Sequence, residues 1–341
     1  MKKQVSISDL ARMLSVSVST VSRALHDHPS ISDGMKELVR QKAKEHNYRP
    51  NSYAVNLKMG STKTIAVIVP QINRNFFSTA INGIEEVARE NGYDVMIYQS
   101  HNDHDHEARI VNNLSFGKVD GVIASVANTD LGHQHYNKMI DYGMPTVFFD
   151  RILKGLNAGS VRIDDFKGSY MATEHFIKQG MKRIYHFAGK RNVVVWDDRA
   201  KGHIAAMKDN GLEIDEKSWI FEDYTTRSNG SKFISQILES GNELPEAINF
   251  AGDFAALGAL QQMNEKGIKV PHGIAISGFA CEPFCGVLST PLTSVDQFSN
   301  KMGREAAKML IDYIEGKPYE NIVIEPELIV RESSLKLKKN E

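Results

Sequence analysis

The residues best suited to chemistry cluster near the amino terminus. A short amphipathic run, Ile7-Ser8-Asp9-Leu10-Ala11-Arg12-Met13-Leu14, precedes Ser15-Val16-Ser17-Val18-Ser19-Thr20-Val21-Ser22-Arg23-Ala24-Leu25. Arg23 suits bidentate hydrogen bonding to guanine, Val18 suits a thymine methyl, and Ser19 can pair with several bases. Two short side chains and one long one imply modest direct readout, so that symmetry and DNA shape supply the rest of the specificity. A second set follows at Asn51, Ala54 and Leu57. A leucine on such a segment can wedge between base steps in the minor groove and kink the duplex.

Three helices are needed to hold these side chains. Ser6 and Asp9 have capping-box spacing, and Ile7, Leu10, Ala11 and Leu14 then share one face. Ser17 is a good N-cap for the next helix. Val21, Ala24 and Leu25 turn inward there, which leaves Val18, Ser19 and Arg23 on the outer face that enters the major groove in a helix-turn-helix. Ser32 opens a third helix with Met35, Leu38, Val39 and Ala43 inward. Pro50 ends the preceding helix and Asn51 can cap a short segment closing at Gly60. That segment is too short to be a stable helix alone and is expected to fold only beside its twin on DNA.

Charge is distributed to match. Residues 1–60 carry ten Lys or Arg and five acids, a net +5, whereas the remaining residues carry 31 basic and 37 acidic groups, a net −6. A basic head on an acidic body suits a separate phosphate-binding module.

From Thr64 onward, short apolar runs alternate with amphipathic helices. Strands are expected at 65–70, 93–98, 121–125, 146–149, 159–163, 184–188, 220, 247–250 and 274–278. Strand–helix repetition predicts parallel sheets with helices on both faces, and two series predict two lobes with a cleft at the carboxyl ends of the strands. Loops after those strands supply candidate ligand groups. Asn75, Phe76 and Phe77 follow the first strand, where a ring can stack on a sugar or base. Asp150 can accept hydroxyl protons, Arg199 can donate to a hydroxyl or carboxylate, Asp253 and Gln297 follow later strands, and Trp196 and Tyr224 add apolar walls.

Other chemistry is not expected. No run approaches a membrane span and no apolar signal core follows Lys2 and Lys3, which predicts a cytoplasmic protein. Cys281 and Cys285 are too few for a disulfide framework or a zinc site. The run His101-Asn102-Asp103-His104-Asp105-His106-Glu107 has metal-ligand residue types, but it sits before a helix that Asp103 or Asp105 can cap, and it reads as a solvated loop, as do His133 and His135. No Gly-x-Gly-x-x-Gly or Walker pattern and no nucleophile–base pair occurs. No enzyme activity, cofactor or metal is therefore expected.

The segment Ser6 to Leu57, with its serine-rich turn and the run Asn47-Tyr48-Arg49-Pro50-Asn51-Ser52-Tyr53-Ala54, resembles the DNA-binding head and hinge of the lactose-repressor (LacI/GalR) family. Phe148-Phe149-Asp150-Arg151, Arg199-Ala200-Lys201-Gly202, Leu257-Gly258-Ala259-Leu260, Gly278-Phe279, Leu292 to Gln297 and Pro326 to Arg331 match that family's landmarks in order, extending the resemblance over essentially the whole chain. The resemblance implies an all-α helix-turn-helix head at 1–60, with a hinge helix at about 51–59, and an α/β, doubly wound, periplasmic-binding-protein-like body at 61–335. Lobe 1 would comprise 62–158 and 293–320, and lobe 2 would comprise 159–290 and 321–335. It places Val18, Ser19 and Arg23 at base-reading positions and Leu57 at the minor-groove position. Ser6, Ser17, Thr20, Ser22, Asn51 and Ala54 count with them as DNA-contacting. The function implied is a homodimeric transcriptional repressor on a pseudopalindromic double-stranded operator, controlled by a small effector such as a sugar or sugar derivative. The short tail after Arg331 lacks leucine heptads, which argues against a coiled-coil tetramer. Three departures bear on the effector: Ala280 stands where the family usually has Asp or Asn, Gly252-Asp253 replaces Asn-Asp, and Val193, Val194 and Val195 occupy positions often polar. These losses point to an effector less hydroxylated than a free sugar, to one bound by other groups, or to a lost effector response.

Overall fold

The structure, a computed structural model, describes residues 5–48, 61–114, 118–127, 132–189, 193–214, 219–220 and 224–336. The expected hinge positions Asn51, Ala54 and Leu57 lie outside them. The chain divides into two units, Met1–Thr62 and Lys63–Glu341.

The first unit contains α1 (Ile7–Met13), α2 (Val18–Leu25) and α3 (Asp33–Glu45). The Ser6–Asp9 capping box is complete, with Asp9 N–H donating to the Ser6 hydroxyl and Ser6 N–H donating to the Asp9 carboxylate. Leu10, Ala11, Val21, Ala24, Val39 and Ala43 form the core, with Ile7, Leu14, Leu25 and Met35 packed against it. Two expectations change. Ser32 occupies the N-cap position of α3 but makes no side-chain cap. Leu38 is 46% exposed rather than inward, because the stripe Met35, Val39, Ala43 already fills the helix face and the adjacent position turns away by about 100°.

The second unit holds two six-stranded sheets. The elements in chain order are β1 (Thr64–Val69), α4 (Asn75–Glu90), β2 (Asp94–Gln99), α5 (His104–Leu114), β3 (Gly121–Ala124), α6 (Gln134–Asp141), β4 (Thr146–Phe149), β5 (Gly159–Ile163), α7 (Asp165–Lys178), β6 (Ile184–Phe187), α8 (Val194–Asp209), β7 (Trp219–Ile220), α9 (Arg227–Glu239), β8 (Ala247–Phe250), α10 (Asp253–Glu265), β9 (Ala275–Phe279), β10 (Thr293–Asp296), α11 (Ser299–Ile314), β11 (Asn321–Ile324) and β12 (Glu327–Ile329). The first sheet is parallel throughout, in the order β2-β1-β3-β4-β5-β11. The second runs β7-β6-β8-β9-β10-β12, with only β12 antiparallel. Every residue of β1, β3, β4, β8 and β9 is buried, as uninterrupted apolar runs covered on both faces require.

The lobe boundaries differ from those expected. Residues 159–163 belong to the first sheet, since β5 pairs with β4 (Val147↔Gly159). Residues 293–296 belong to the second, and 321–324 return to the first. The crossings therefore fall after β5, after β10 and after β11. Apolar runs report that a strand is buried but not which sheet it joins, so a boundary placed by strand count slips by one. After the second crossing α11 packs on α4 and on β3, β4 and β5. The two helices touch backbone to backbone, because a Cβ on Gly303 would meet the Ala80 carbonyl oxygen at 2.0 Å and one on Gly83 would meet that of Asn300 at 2.3 Å.

Under the second sheet lies a buried polar cluster. The His186 and His203 rings stack with centroids 5.1 Å apart and an interplanar angle of 14°. His186 Nδ1 bonds the Asn249 carbonyl at 2.9 Å, and His203 Nδ1 bonds Thr173 Oγ1 at 2.9 Å. Burial pushes His186 down to about 3 and His203 well below its usual value. Both rings stay neutral in the fold. Between about 3 and 6.5, therefore, the unfolded chain binds a proton at position 186 that the folded chain does not. Stability from this group falls with falling pH by about 1.4 kcal/mol per pH unit in that window, and His203 acts in the same direction. Replacing both rings with Gln is expected to make stability relative to wild type higher at pH 5 than at pH 7.5. Denaturant titrations giving the same wild-type-to-variant difference at both pH values would contradict this.

Candidate nucleic-acid interface and binding cleft

In the head, Ser17, Val18, Ser19 and Arg23 are exposed and Thr20 and Ser22 are half-buried. Val18 is 43% exposed, unusual for a valine in a small three-helix core and consistent with an apolar contact supplied from outside. The Ser17 hydroxyl does three things: it accepts the Thr20 N–H, and it bonds the Ser19 and Thr20 hydroxyls at 2.8 Å each. The start of α2, which presents Val18 and Ser19, is thereby fixed in direction. Ser6 is exposed and engaged in its own capping box.

In the body, the carboxyl ends of strands from both sheets meet around one cavity of about 110 Å3. Phe76, Phe77, Asp150, Trp196, Arg199, Tyr224, Asp253 and Gln297, all singled out from sequence, line it. Asn75 does not. It is the exposed first residue of α4, and the helix turns the next two positions, the Phe pair, inward instead. The structure adds Gln71, Arg74, Asn102, Arg151 and Glu282 to the lining. Each follows a strand end or precedes a helix, the positional signal that located the others; Arg151 had the further signal of standing next to Asp150.

Charge pairs organise the walls. Arg199, 5% exposed, bonds Asp165 Oδ1 through Nε at 2.8 Å and through Nη2 at 2.7 Å, and Nη1 donates to the Ala251 carbonyl at 2.7 Å. Its guanidinium carbon lies 3.6 Å from the Phe279 ring centroid. Burial lifts the Asp165 carboxyl to about 7 against the opposing pull of Arg199. Asp165 was not expected at the site. Its signal is the doublet Asp164-Asp165 ahead of α7, where only Asp164 is needed to cap. Asp150 takes a left-handed backbone with φ of 58° and accepts the Ser125 hydroxyl at 3.1 Å. Burial raises its pKa, with Arg151 and Arg199 opposing. Arg151 donates from Nη1 to Asn102 Oδ1 and the Ala127 carbonyl and lies 5.5 Å from the Trp196 ring centroid, while its buried Nε has no acceptor. Trp196 and Tyr224 pack edge to face at 5.8 Å.

Asp253 is committed to the fold. Its Oδ1 accepts the Ser294 hydroxyl at 2.7 Å and its Oδ2 the Glu282 N–H at 2.8 Å. A Cβ on Gly278 would meet Oδ1 at 2.0 Å, so glycine there makes room for the carboxylate. Val193 and Val195 form an apolar cluster with Trp196 and Ala251.

The histidine-rich segment is only partly a solvated loop. Asp103 does cap, accepting the His106 N–H at 2.7 Å. Glu107 and His135, however, are buried as a pair with Oε1 and Nε2 3.3 Å apart, because Glu107 also accepts the Ala127 N–H and so fixes the turn after β3. Among the described residues no group of three potential ligands could hold a metal ion. No helix there is long and apolar enough to cross a membrane.

A helix-turn-helix head and a two-lobed α/β body of this topology define the class: a DNA-binding transcriptional regulator, not an enzyme. The head, residues 6–51, matches the description "Bacterial regulatory proteins, lacI family", and residues 62–332 match "Periplasmic binding proteins and sugar binding domain of LacI family". The chain is 31% identical to the HTH-type transcriptional regulator RegA of Clostridium saccharobutylicum, covering 97% of this chain and 99% of that one. It is 30% identical to the HTH-type transcriptional repressor PurR of Pasteurella multocida, covering 96% and 98%. The solved complex of the transcriptional regulator CelR with cellobiose is 28% identical with a TM-score of 0.73, covering 96% and 99%. The chain belongs to the lacI family.

Removing one member of the Arg199–Asp165 pair leaves a buried charge alone. Arg199→Met is expected to cost about 3–5 kcal/mol in denaturant unfolding, with much of it recovered when Asp165→Asn is added. A double variant no more stable than the single one would refute the pairing as the source.

Proposed function

We propose that this chain is a homodimeric repressor whose head binds a pseudopalindromic operator and whose cleft binds a small polar effector, a sugar or sugar derivative, that alters operator affinity. The observation that carries the effector reading is the cavity itself, where eight of nine independently chosen side chains meet from both lobes. Guanidinium, carboxyl and amide groups between aromatic walls suit a compact polar ring. The relative PurR is named a repressor, and the CelR structure is titled a cellobiose complex.

On the DNA side, Arg23, Val18 and Ser19 read bases, Ser6, Ser17, Thr20 and Ser22 support that contact, and two hinge segments with Asn51, Ala54 and Leu57 pair at the operator centre. A dimer matches two half-sites by its own symmetry. Random-sequence selection followed by gel shift is expected to return inverted repeats; binding without sequence preference, falling only with salt, would contradict the reading. Arg23→Ala is expected to cost about 1–3 kcal/mol on the selected site and to relax one base position in each half. Leu57→Ala is expected to weaken binding and reduce the central bend; an unchanged bend in circular-permutation gels would remove the wedge from the account.

Screening the full-length chain by thermal shift against sugars, sugar phosphates, nucleobases and organic acids tests the effector reading, since a ligand of the folded state raises apparent stability by mass action.

A further inference from the structure

Acidic and basic side chains around the cleft are unequal in number. Three guanidiniums, Arg74, Arg151 and Arg199, and three carboxyls, Asp150, Asp253 and Glu282, line the cavity, and a fourth carboxyl, Asp165, binds Arg199. The Arg199–Asp165 pair is neutral, and Arg151 stands in the field of Asp150. Asp253 and Glu282 are left with one cation between them. Arg74 does not close on either. Its guanidinium lies over the Phe254 ring, 4.3 Å from the centroid, and its Nε donates to Gln71.

Glu282 is therefore a buried carboxylate, only 6% exposed, without an ion pair among the described residues. The Phe76 backbone N–H on the opposite lobe favours its charged form. Burial and the neighbouring Asp253 push its carboxyl up to about 7, with Arg74 and the Phe76 N–H opposing. Its position is also enforced. The two residues before it have left-handed backbones, Ala280 with φ of 122° and Cys281 with φ of 52°, costly for side chains with a Cβ. They are held there by Ala280 N–H to the Val295 carbonyl and by Cys281 N–H to the Ser294 hydroxyl, both 2.9 Å.

We propose that the effector is a polar ring bearing a protonated amine, with the ammonium held by Glu282. This rests on the effector reading of the cleft. An ammonium supplies a positive charge to a buried carboxyl that lacks an ion pair; a neutral ring leaves Glu282 without one, and an anionic one adds a further negative group.

The test uses the full-length chain at pH 7.5 in thermal shift and calorimetry. Probes are glucosamine and galactosamine against glucose, galactose, N-acetylglucosamine and gluconate. An amino sugar is expected to bind at least about tenfold more tightly than its neutral counterpart, and Glu282→Gln is expected to erase that preference. A second readout needs no ligand. Gln at 282 keeps nearly the same shape but carries no charge, so Glu282→Gln is expected to raise the melting temperature of the unliganded protein. Stabilisation by neutral or acidic sugars but not amines would overturn the amine proposal and leave the effector reading standing. An unchanged or lowered melting temperature for unliganded Glu282→Gln would overturn it as well.

Discussion

Three short connections join the two sheets of the body, after Ile163, after Asp296 and after Ile324, and the cleft depends on them. Each sheet is wound so that its parallel strands end at one edge. The crossings bring those two edges together around a single cavity. A few backbone torsions at such connections are enough to open or close a cleft. One of them, Phe298, already sits in the left-handed region with φ of 50°, fixed by its N–H on the Asp296 carboxylate at 2.8 Å.

Most of the polar chemistry at the cleft serves its own walls. Arg199 is spent on Asp165 and Ala251, and Asp253 on Ser294 and Glu282. These contacts give each wall a fixed shape at the cost of desolvating four carboxyls, three of which line the cavity and all of which burial lifts above their ordinary range. A wall of that kind discriminates by charge and by fit, because it cannot reorganise to meet a ligand of the wrong sign. The head follows the same economy of local contacts: one serine at position 17 both starts α2 and orients the hydroxyls beside Val18.

Much of this was legible in the residues. Capping signals located α1 and α2, apolar runs located the parallel strands, and positions following strand ends located most of the cavity lining. What escaped had physical reasons. Sheet membership of β5, β10 and β11 depends on long-range pairing that a local pattern does not encode. Leu38 and Asn75 depart from the expected facing because helical phase is fixed only to within one position near a helix end or a crowded face. Glu107 and His135 were read as solvated because their pairing joins residues 28 apart. Glu282 gave little sign, since its place in the cavity follows from two residues with left-handed backbones before it.

Under the proposed function, occupancy of the cleft and grip on the operator are linked equilibria. The direct measurement is operator affinity of the full-length chain with and without a saturating cleft ligand, paired with ligand affinity with and without operator. The account predicts the same factor from both, of about 5–150, as reciprocal linkage demands. An operator dissociation constant indifferent to a ligand shown to fill the cleft would contradict it.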